Sequence, residues 1–301
     1  MQLSSLQYLI LFVSSFVCVG ALTPLMRKIA IHKEIVDKPN ESHKTHSNPT
    51  PYLGGVAIVL GVTAVSYLAL FVGGFPVPKV ALASSILIPA LMVGVIGLID
   101  DIKKLPPLPR FLAQNVIATL STLIMIFTST IGSPTNNVYF DFFITILWIV
   151  GLTNALNFFD NIDGGASGTA AISASFLFFL AVQGSQFSIA ALAIVLAGGT
   201  FGFLIWNRPP ARIYMGDAGA LFLGLLIASL AVRFNPNPIN HVAGFAVIFF
   251  LLAIPIMDTT VVVSKRLMRG LSPFQGGRDH LSHRLIRTGL IRSNPSFLSG
   301  C

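Results

Sequence analysis

A chain of 301 residues that is 54% hydrophobic and only 10% charged is not an ordinary soluble domain, because those carry about a quarter charged residues. The 19 basic residues exceed the 11 acidic ones, but they are set among long apolar blocks, several near the roughly 20 residues that cross a bilayer, so the excess suits a membrane surface and not a nucleic-acid partner. Cys18 and Cys301 support neither a disulfide framework nor a metal-ligand spacing.

In chain order, the apolar runs predict about nine transmembrane helices, near 6–26, 52–73, 80–99, 111–131, 140–157, 168–183, 188–205, 218–234 and 242–264. The first lacks a basic segment ahead of it and reads as a retained span, not a cleaved signal peptide. The sixth and seventh are separated only by Gln183, Gly184, Ser185 and Gln186. The expected fold is an all-α polytopic membrane protein. It comprises one helical membrane domain over 1–264 and a basic segment, 265–301, that joins the reactive face.

Of the 19 basic residues, all but Lys79 and Arg233 fall on one side of this arrangement. The positive-inside rule makes that side cytoplasmic, with the N-terminus outside and the C-terminus inside, as in a multi-pass protein of the plasma (inner) membrane. The acids follow the same asymmetry, which that rule does not require. Asp100, Asp101, Asp160, Asp163, Asp217 and Asp279 lie at cytoplasmic span ends or loops, Asp258 lies deeper in the last span, and Asp141 is outside. All the histidines except His241 share the cytoplasmic face.

Four segments on that face carry candidate chemistry. Asp100 and Asp101 end the third span, where adjacent carboxylates repel each other and oppose the helix dipole. They are either a solvated span end relieved by Lys104 or a pair that requires a cation. Asn154, Asn157, Asp160 and Asp163 recur every three residues, so a helical turn would keep them near one face. Gly164 and Gly165 would then break the helix and admit a ligand close to the backbone. Asp217, in Met215-Gly216-Asp217-Ala218-Gly219, is either an N-cap of the eighth span or a further member of the acidic site.

The tail SPFQGGRDHLSHRLIR, with Arg278, His280 and His283, suits either a polyphosphate or a lipid surface. Together these groups predict a Mg²⁺ site of oxygen ligands ringed by basic residues, with Mn²⁺ as a substitute. Such a site at the membrane boundary suits phosphoryl transfer to a lipid-borne substrate.

These motifs resemble, in register over nearly the whole chain, the polyprenyl-phosphate N-acetylhexosamine-1-phosphate transferases, which include the muramoyl-pentapeptide translocases. The matching segments are VDKPNESHKTHSNPTPYLGG, GLIDDIKKLPP, NALNFFDNIDGGASG, WNRPPARIYMGDAGALFLG, PIMDTT and SPFQGGRDHLSHRL. The resemblance implies transfer of a sugar 1-phosphate from a UDP-HexNAc to polyprenyl (undecaprenyl) phosphate, with release of UMP, as the first membrane step of a cell-surface glycan. It also implies Asp217 as the principal Mg²⁺ ligand, supported by Asp160, and Asp100 and Asp101 as the essential acidic pair, with Asp100 acting on the lipid phosphate. Lys104 would meet phosphate, Asn157, Asp160 and Asp163 would serve the nucleotide, and Asp163 would face uracil. Asn207, Lys44, His46, Arg278, His280 and His283 complete the expected substrate contacts.

The D-H-L-x-H-R-L tail resembles users of UDP-GlcNAc and related sugars more than the translocase, which has three consecutive histidines. Ser282 stands where relatives often have another histidine, and the chain stops at Cys301 where they usually add a further span. A homodimer is compatible with this reading. The competing expectations are the same chemistry on UDP-MurNAc-pentapeptide, and a secondary transporter whose acids mark an ion path.

Overall fold

The computed structural model describes residues 3–37, 50–132, 135, 137–235, 249–250 and 252–270. Within them lie nine helices: α1 (Ser5–His32), α2 (Gly54–Val72), α3 (Val77–Lys103), α4 (Pro107–Phe127), α5 (Val138–Phe159), α6 (Gly165–Gln183), α7 (Phe187–Asn207), α8 (Gly216–Arg233) and α9 (Ala253–Met268). The first eight are each long and apolar enough to cross a membrane, so the protein is polytopic. The expected span at 242–264 falls partly outside the described residues, and its portion from Ala253 onward lies in α9.

The helix ends follow local chemistry more closely than hydropathy. Ser4 caps α1 in a box with Gln7: the Gln7 amide donates to Ser4 Oγ at 3.3 Å, and the Ser4 amide donates to Gln7 Oε1 at 2.8 Å. From there the helix runs through Arg27 and Lys28 to His32, beyond the apolar run, and it does so with Pro24 inside it. Prolines at the first helical positions set the starts of α3 and α4.

The expectation of an all-α chain misses one small feature. β1 (Val36–Asp37) pairs antiparallel with β2 (Thr50–Pro51). The chain leaving β2 is in turn tied to the start of α8. Tyr214 N donates to Pro51 O at 2.9 Å, Gly54 N to Tyr214 O at 3.1 Å, and Gly55 N to Met215 O at 2.8 Å.

α8 is the central helix, packed against α2, α3 and α5. Every residue from Ala218 to Ala231 is buried, which explains why it is apolar all round and not amphipathic. α1 is the opposite case: Leu6, Leu9, Ile10, Val13 and Val17 are exposed. Small residues let α8 seat deeply. A Cβ on Gly55 would lie 2.2 Å from Gly219 N, and one on Gly97 would lie 2.4 Å from Asp217 O. Backbone contact at these two points brings the N-terminal part of α8 against the start of α2 and the C-terminal end of α3, where Asp100 and Asp101 lie.

Candidate active site

The C-terminal ends of α3 and α5 meet the N-terminal ends of α4 and α8 at one end of the bundle. α3 stops there because Lys104 turns left-handed at φ 51°, its amide still donating to Asp100 O at 2.7 Å. That turn folds the chain back so that Leu105 N donates to Asp100 Oδ1 at 2.6 Å. Asp100 is 9% exposed, and its other oxygen meets Nη1 of Arg110, one turn into α4. The same Nη1 meets Asp217 Oδ2. One guanidinium nitrogen therefore joins two carboxylates from helices more than a hundred residues apart.

Asp101 does something different. Its Oδ1 accepts from Asp217 N at 2.8 Å and its Oδ2 from Ala218 N at 3.0 Å. It thus satisfies two of the free amides that begin α8, the task a helix normally gives to its own N-cap side chain. Met215 occupies that N-cap position and supplies no side-chain bond. Gly216 makes room for the arrangement. Its φ is +72°, and a Cβ there would lie 2.7 Å from Asp101 Oδ2. The reading of Asp217 as a simple N-cap is therefore overturned, because its carboxylate turns to Arg110 and to Asn157 Nδ2, which donates at 2.8 Å.

The expected polar stripe is only partly helical. α5 ends at Phe159 with Asp160 as its C-cap, so the three-residue step holds through Asn157 and then fails. Asn154 turns to Gln114 Oε1, at 2.7 Å, and to Val150 O, at 2.8 Å, and not to Asp217. Asp160 is half-buried at the helix end. Burial of its carboxyl, and then the neighbouring carboxylates of Asp217, Asp101 and Asp163, push it well above the ordinary range. Asp163 lies in the following turn and accepts from Ala211 N at 2.8 Å.

Asn207 is 1% exposed and works as a brace. Its Oδ1 accepts from Gly164 N at 3.1 Å and Ser167 Oγ at 2.7 Å, while its Nδ2 donates to Ile213 O at 3.1 Å. It thereby positions the 160–165 turn and the 207–215 connection, which carry Asp160, Asp163 and the approach to Asp217. Lys104 is exposed beside the cluster. Lys44, His46, Arg278, His280 and His283 lie outside the described residues.

The sequence reading missed the part played by Arg110. A signal for it exists: a cation in the first turn of a helix opposes the dipole, so Arg110, three residues after Pro107 starts α4, calls for an anionic partner. Its pairing with Asp217 could not be read from spacing. Gln114, one turn further along α4 and 2% exposed, was missed as the anchor of Asn154.

Asp217 and Asp160 are the residues that could hold a hard divalent cation here. Among the described residues no three His, Cys, Asp or Glu groups form a ready-made cage. Mg²⁺ does not require one, since it is usually held through one or two carboxylates together with substrate phosphates and water. The convergence of Asp100 and Asp217 on one positive nitrogen is the observation that fits it: two carboxylates placed so close need a cation between them, and Arg110 supplies one.

Glycosyl transferase family 4 matches residues 83–235, which include Asp100, Asp101, Arg110, Asn157, Asp160, Asp163, Asn207 and Asp217. The chain belongs to this family. It is 31% identical over 292 residues to the probable undecaprenyl-phosphate N-acetylglucosaminyl 1-phosphate transferase of Bacillus subtilis (strain 168), covering 95% of this chain and 79% of that one. It is 30% identical to the decaprenyl-phosphate N-acetylglucosaminephosphotransferase of Mycobacterium leprae, covering 89% and 74%. It is also 31% identical to the phospho-N-acetylmuramoyl-pentapeptide-transferase of Bacillus pumilus, over 69% and 68%.

Proposed function

We propose that the protein transfers N-acetylglucosamine 1-phosphate from UDP-GlcNAc to a polyprenyl phosphate in the membrane, releasing UMP. The observation that carries this reading is the junction of Asp100, Asp217 and Arg110 at the end of a helical bundle, in a chain similar over most of its length to transferases of that chemistry. The asymmetry of Lys and Arg favours a cytoplasmic orientation of that end.

In this reaction an oxygen of the lipid phosphate bonds to the sugar-bearing phosphorus. The pyrophosphate P–O bond breaks, and UMP departs with the electron pair. Bound Mg²⁺, with Asp217 and Asp160 as its ligands from this chain, would supply charge neutralisation on the phosphate oxygens. Asp100, at the C-terminal end of α3, orients the acceptor phosphate or takes its proton. Arg110 then has phosphate oxygens as alternative partners to the carboxylates, and Lys104 adds a second cation beside them. Asp101 acts through α8: by holding its first amides it fixes where the Asp217 carboxylate points.

UDP-MurNAc-pentapeptide would draw on the same acids, and relatives such as that of B. pumilus bear that name. The tail motif containing His280 and His283 favours the UDP-GlcNAc reading. Transport fits less well, because transport sites lie near the midplane on broken helices, whereas these acids gather where helices end. The test is purified protein with Mg²⁺, undecaprenyl phosphate and each donor in turn. UMP and lipid-linked GlcNAc phosphate are expected from UDP-GlcNAc. A lipid product from the pentapeptide donor alone, or none from either, overturns the assignment.

A further inference from the structure

Away from the acidic cluster, α1 and α7 pack backbone to backbone. A Cβ on Gly198 would lie 2.3 Å from Phe12 O, and one on Gly202 would lie 2.3 Å from Phe16 O. This is the four-residue glycine spacing that brings membrane helices close together. The Phe12 and Phe16 rings are displaced to the flank of this contact, stacked with centroids 6.1 Å apart, and Phe201 meets Phe12 at 6.2 Å. Phe201, Leu204, Ile205 and Arg208 follow at three- and four-residue steps on one face of α7. With Phe12 and Phe16 they line an apolar groove of about 420 Å³. A second hollow of about 260 Å³ shares Ile205 and Arg208 with it and extends over Pro209 and Pro210 to Arg212.

The head of this groove is strongly positive. The Arg212 guanidinium lies 5.8 Å from the Trp206 ring centre, and Trp206 is itself fixed by a 3.0 Å bond from its Nε1 to Gly20 O. Arg27 Nε donates to Arg212 O at 3.0 Å, so a third arginine joins Arg208 and Arg212. Arg110 makes ion pairs with Asp100 and Asp217, whereas among the described residues no ion pair engages these three arginines. An apolar groove on a membrane-spanning face, closed at its charged end by arginines without a carboxylate partner among the described residues, is complementary to one kind of molecule. That molecule has an acyl chain and an anionic head.

We propose that this groove binds an anionic glycerophospholipid of the surrounding leaflet, its chain along Phe12, Phe16, Phe201 and Leu204 and its phosphate between Arg208 and Arg212. The acceptor lipid phosphate is a poorer occupant. The reactive carboxylates belong to α3 and α8, and α1 and α7 meet that part of the bundle chiefly across α2. The phospholipid would nevertheless reach the site mechanically. Arg208 Cα is 3.6 Å from where a Gly164 Cβ would stand, and Ala211 N holds Asp163. A lipid clamping Arg208 and Arg212 therefore steadies the connection that positions Asp163 and leads to Asp217.

The test is native mass spectrometry of the full chain after exposure to equimolar dioleoylphosphatidylglycerol and dioleoylphosphatidylcholine. Each arginine near an anionic head is worth about fivefold, so the wild type should retain the phosphatidylglycerol with roughly twentyfold preference. Arg208→Gln with Arg212→Gln should lose that preference, and the paired Lys substitutions should restore most of it, which separates charge from misfolding. Equal phosphatidylglycerol preference in wild type and the double Gln variant overturns the proposal. So does displacement of phosphatidylglycerol by equimolar undecaprenyl phosphate, which would make this an acceptor site. Retention confined to dimers also overturns it, because the groove would then be an interface between copies.

Discussion

The two ends of the bundle handle buried charge in opposite ways. At the opposite end from the acidic cluster, Asp141 is 6% exposed in the first turn of α5, where the helix dipole favours an anion. Its oxygens accept from Thr135 N at 3.0 and 3.2 Å and from Thr135 Oγ1 at 2.8 Å, and among the described residues it meets no cation. Arg233, 4% exposed at the end of α8, reaches Ser85 Oγ at 2.9 Å and meets no carboxylate among the described residues. At the other end, Asp100 and Asp101 stand at a helix C-terminus, where the dipole opposes them, and Asp160 and Asp217 crowd in with them. The same chain can solvate a lone buried acid economically, so the crowding at one end is a property of that site and not of the fold.

The comparison breaks first at Asp217. Asp217→Asn should reduce transfer by about 10³-fold or more, in the range seen when a main electrostatic group of an active site is removed. Membrane insertion and yield should be unchanged, since Asp101 still caps α8 through backbone amides. Near wild-type turnover would remove Asp217 from the centre of the chemistry.

Arg110 comes next. Arg110→Met leaves Asp100 and Asp217 facing each other with no cation, so activity should fall about 10²-fold and the metal-free protein should melt earlier than wild type. Added Mg²⁺ should then raise its melting temperature by more than it raises that of the wild type. Arg110→Lys should recover most of the stability. Equal Mg²⁺ shifts in wild type and Arg110→Met would show that the guanidinium and the metal do not serve the same carboxylates.

Asp101→Asn tests positioning. An amide can accept one of the two bonds from α8, but its NH₂ then faces a donor, and an unsatisfied buried donor costs about 1–3 kcal/mol. Melting temperature and turnover should fall together, whereas Asp217→Asn should affect turnover alone. A loss of turnover with unchanged melting would instead give Asp101 a direct part in the reaction.

How much of this was legible beforehand depends on the range of the interaction. The apolar runs located α1 to α8 to within a few residues, because lipid selects for length and hydropathy. They cut α1 short by more than a turn and a half, since Arg27 to His32 continue the helix outside the apolar run. The gathering of acids on one face was readable from charge and topology. Their division of labour was not. That Asp101 caps another helix, that Asn207 braces a turn and that Arg110 joins Asp100 to Asp217 all depend on contacts between distant segments. The Asn157–Asp163 stripe failed at Phe159, where α5 ends and the periodicity no longer governs.

Asp160 gives a smaller effect, read through pH. Its carboxyl is pushed up in the folded protein, so the folded state holds a proton that the unfolded chain releases near its ordinary pKa of about 3.9. The folded state then binds more protons, and stability falls as pH rises from that value through the raised one. Asp160→Asn should flatten this part of the melting-temperature profile in metal-free protein. Saturating Mg²⁺ should flatten it in wild type by favouring the ionised form. A wild-type profile that rises over the same interval reverses the sign and contradicts the crowding.

The smallest effects belong to the opposite end, which serves as the internal control. Asp141→Asn removes a favourable dipole interaction of about 1 kcal/mol or less, so melting should shift slightly and transfer should not change. Arg233→Met should be neutral or mildly stabilising. Arg233 Nε and Nη1 lack partners among the described residues, and replacing a buried charge that is poorly served by an apolar side chain of similar length removes a desolvation cost. If Arg233→Met instead reduced transfer while melting held steady, charge at that end would be coupled to the reaction, and the contrast between the two ends would no longer separate chemistry from support.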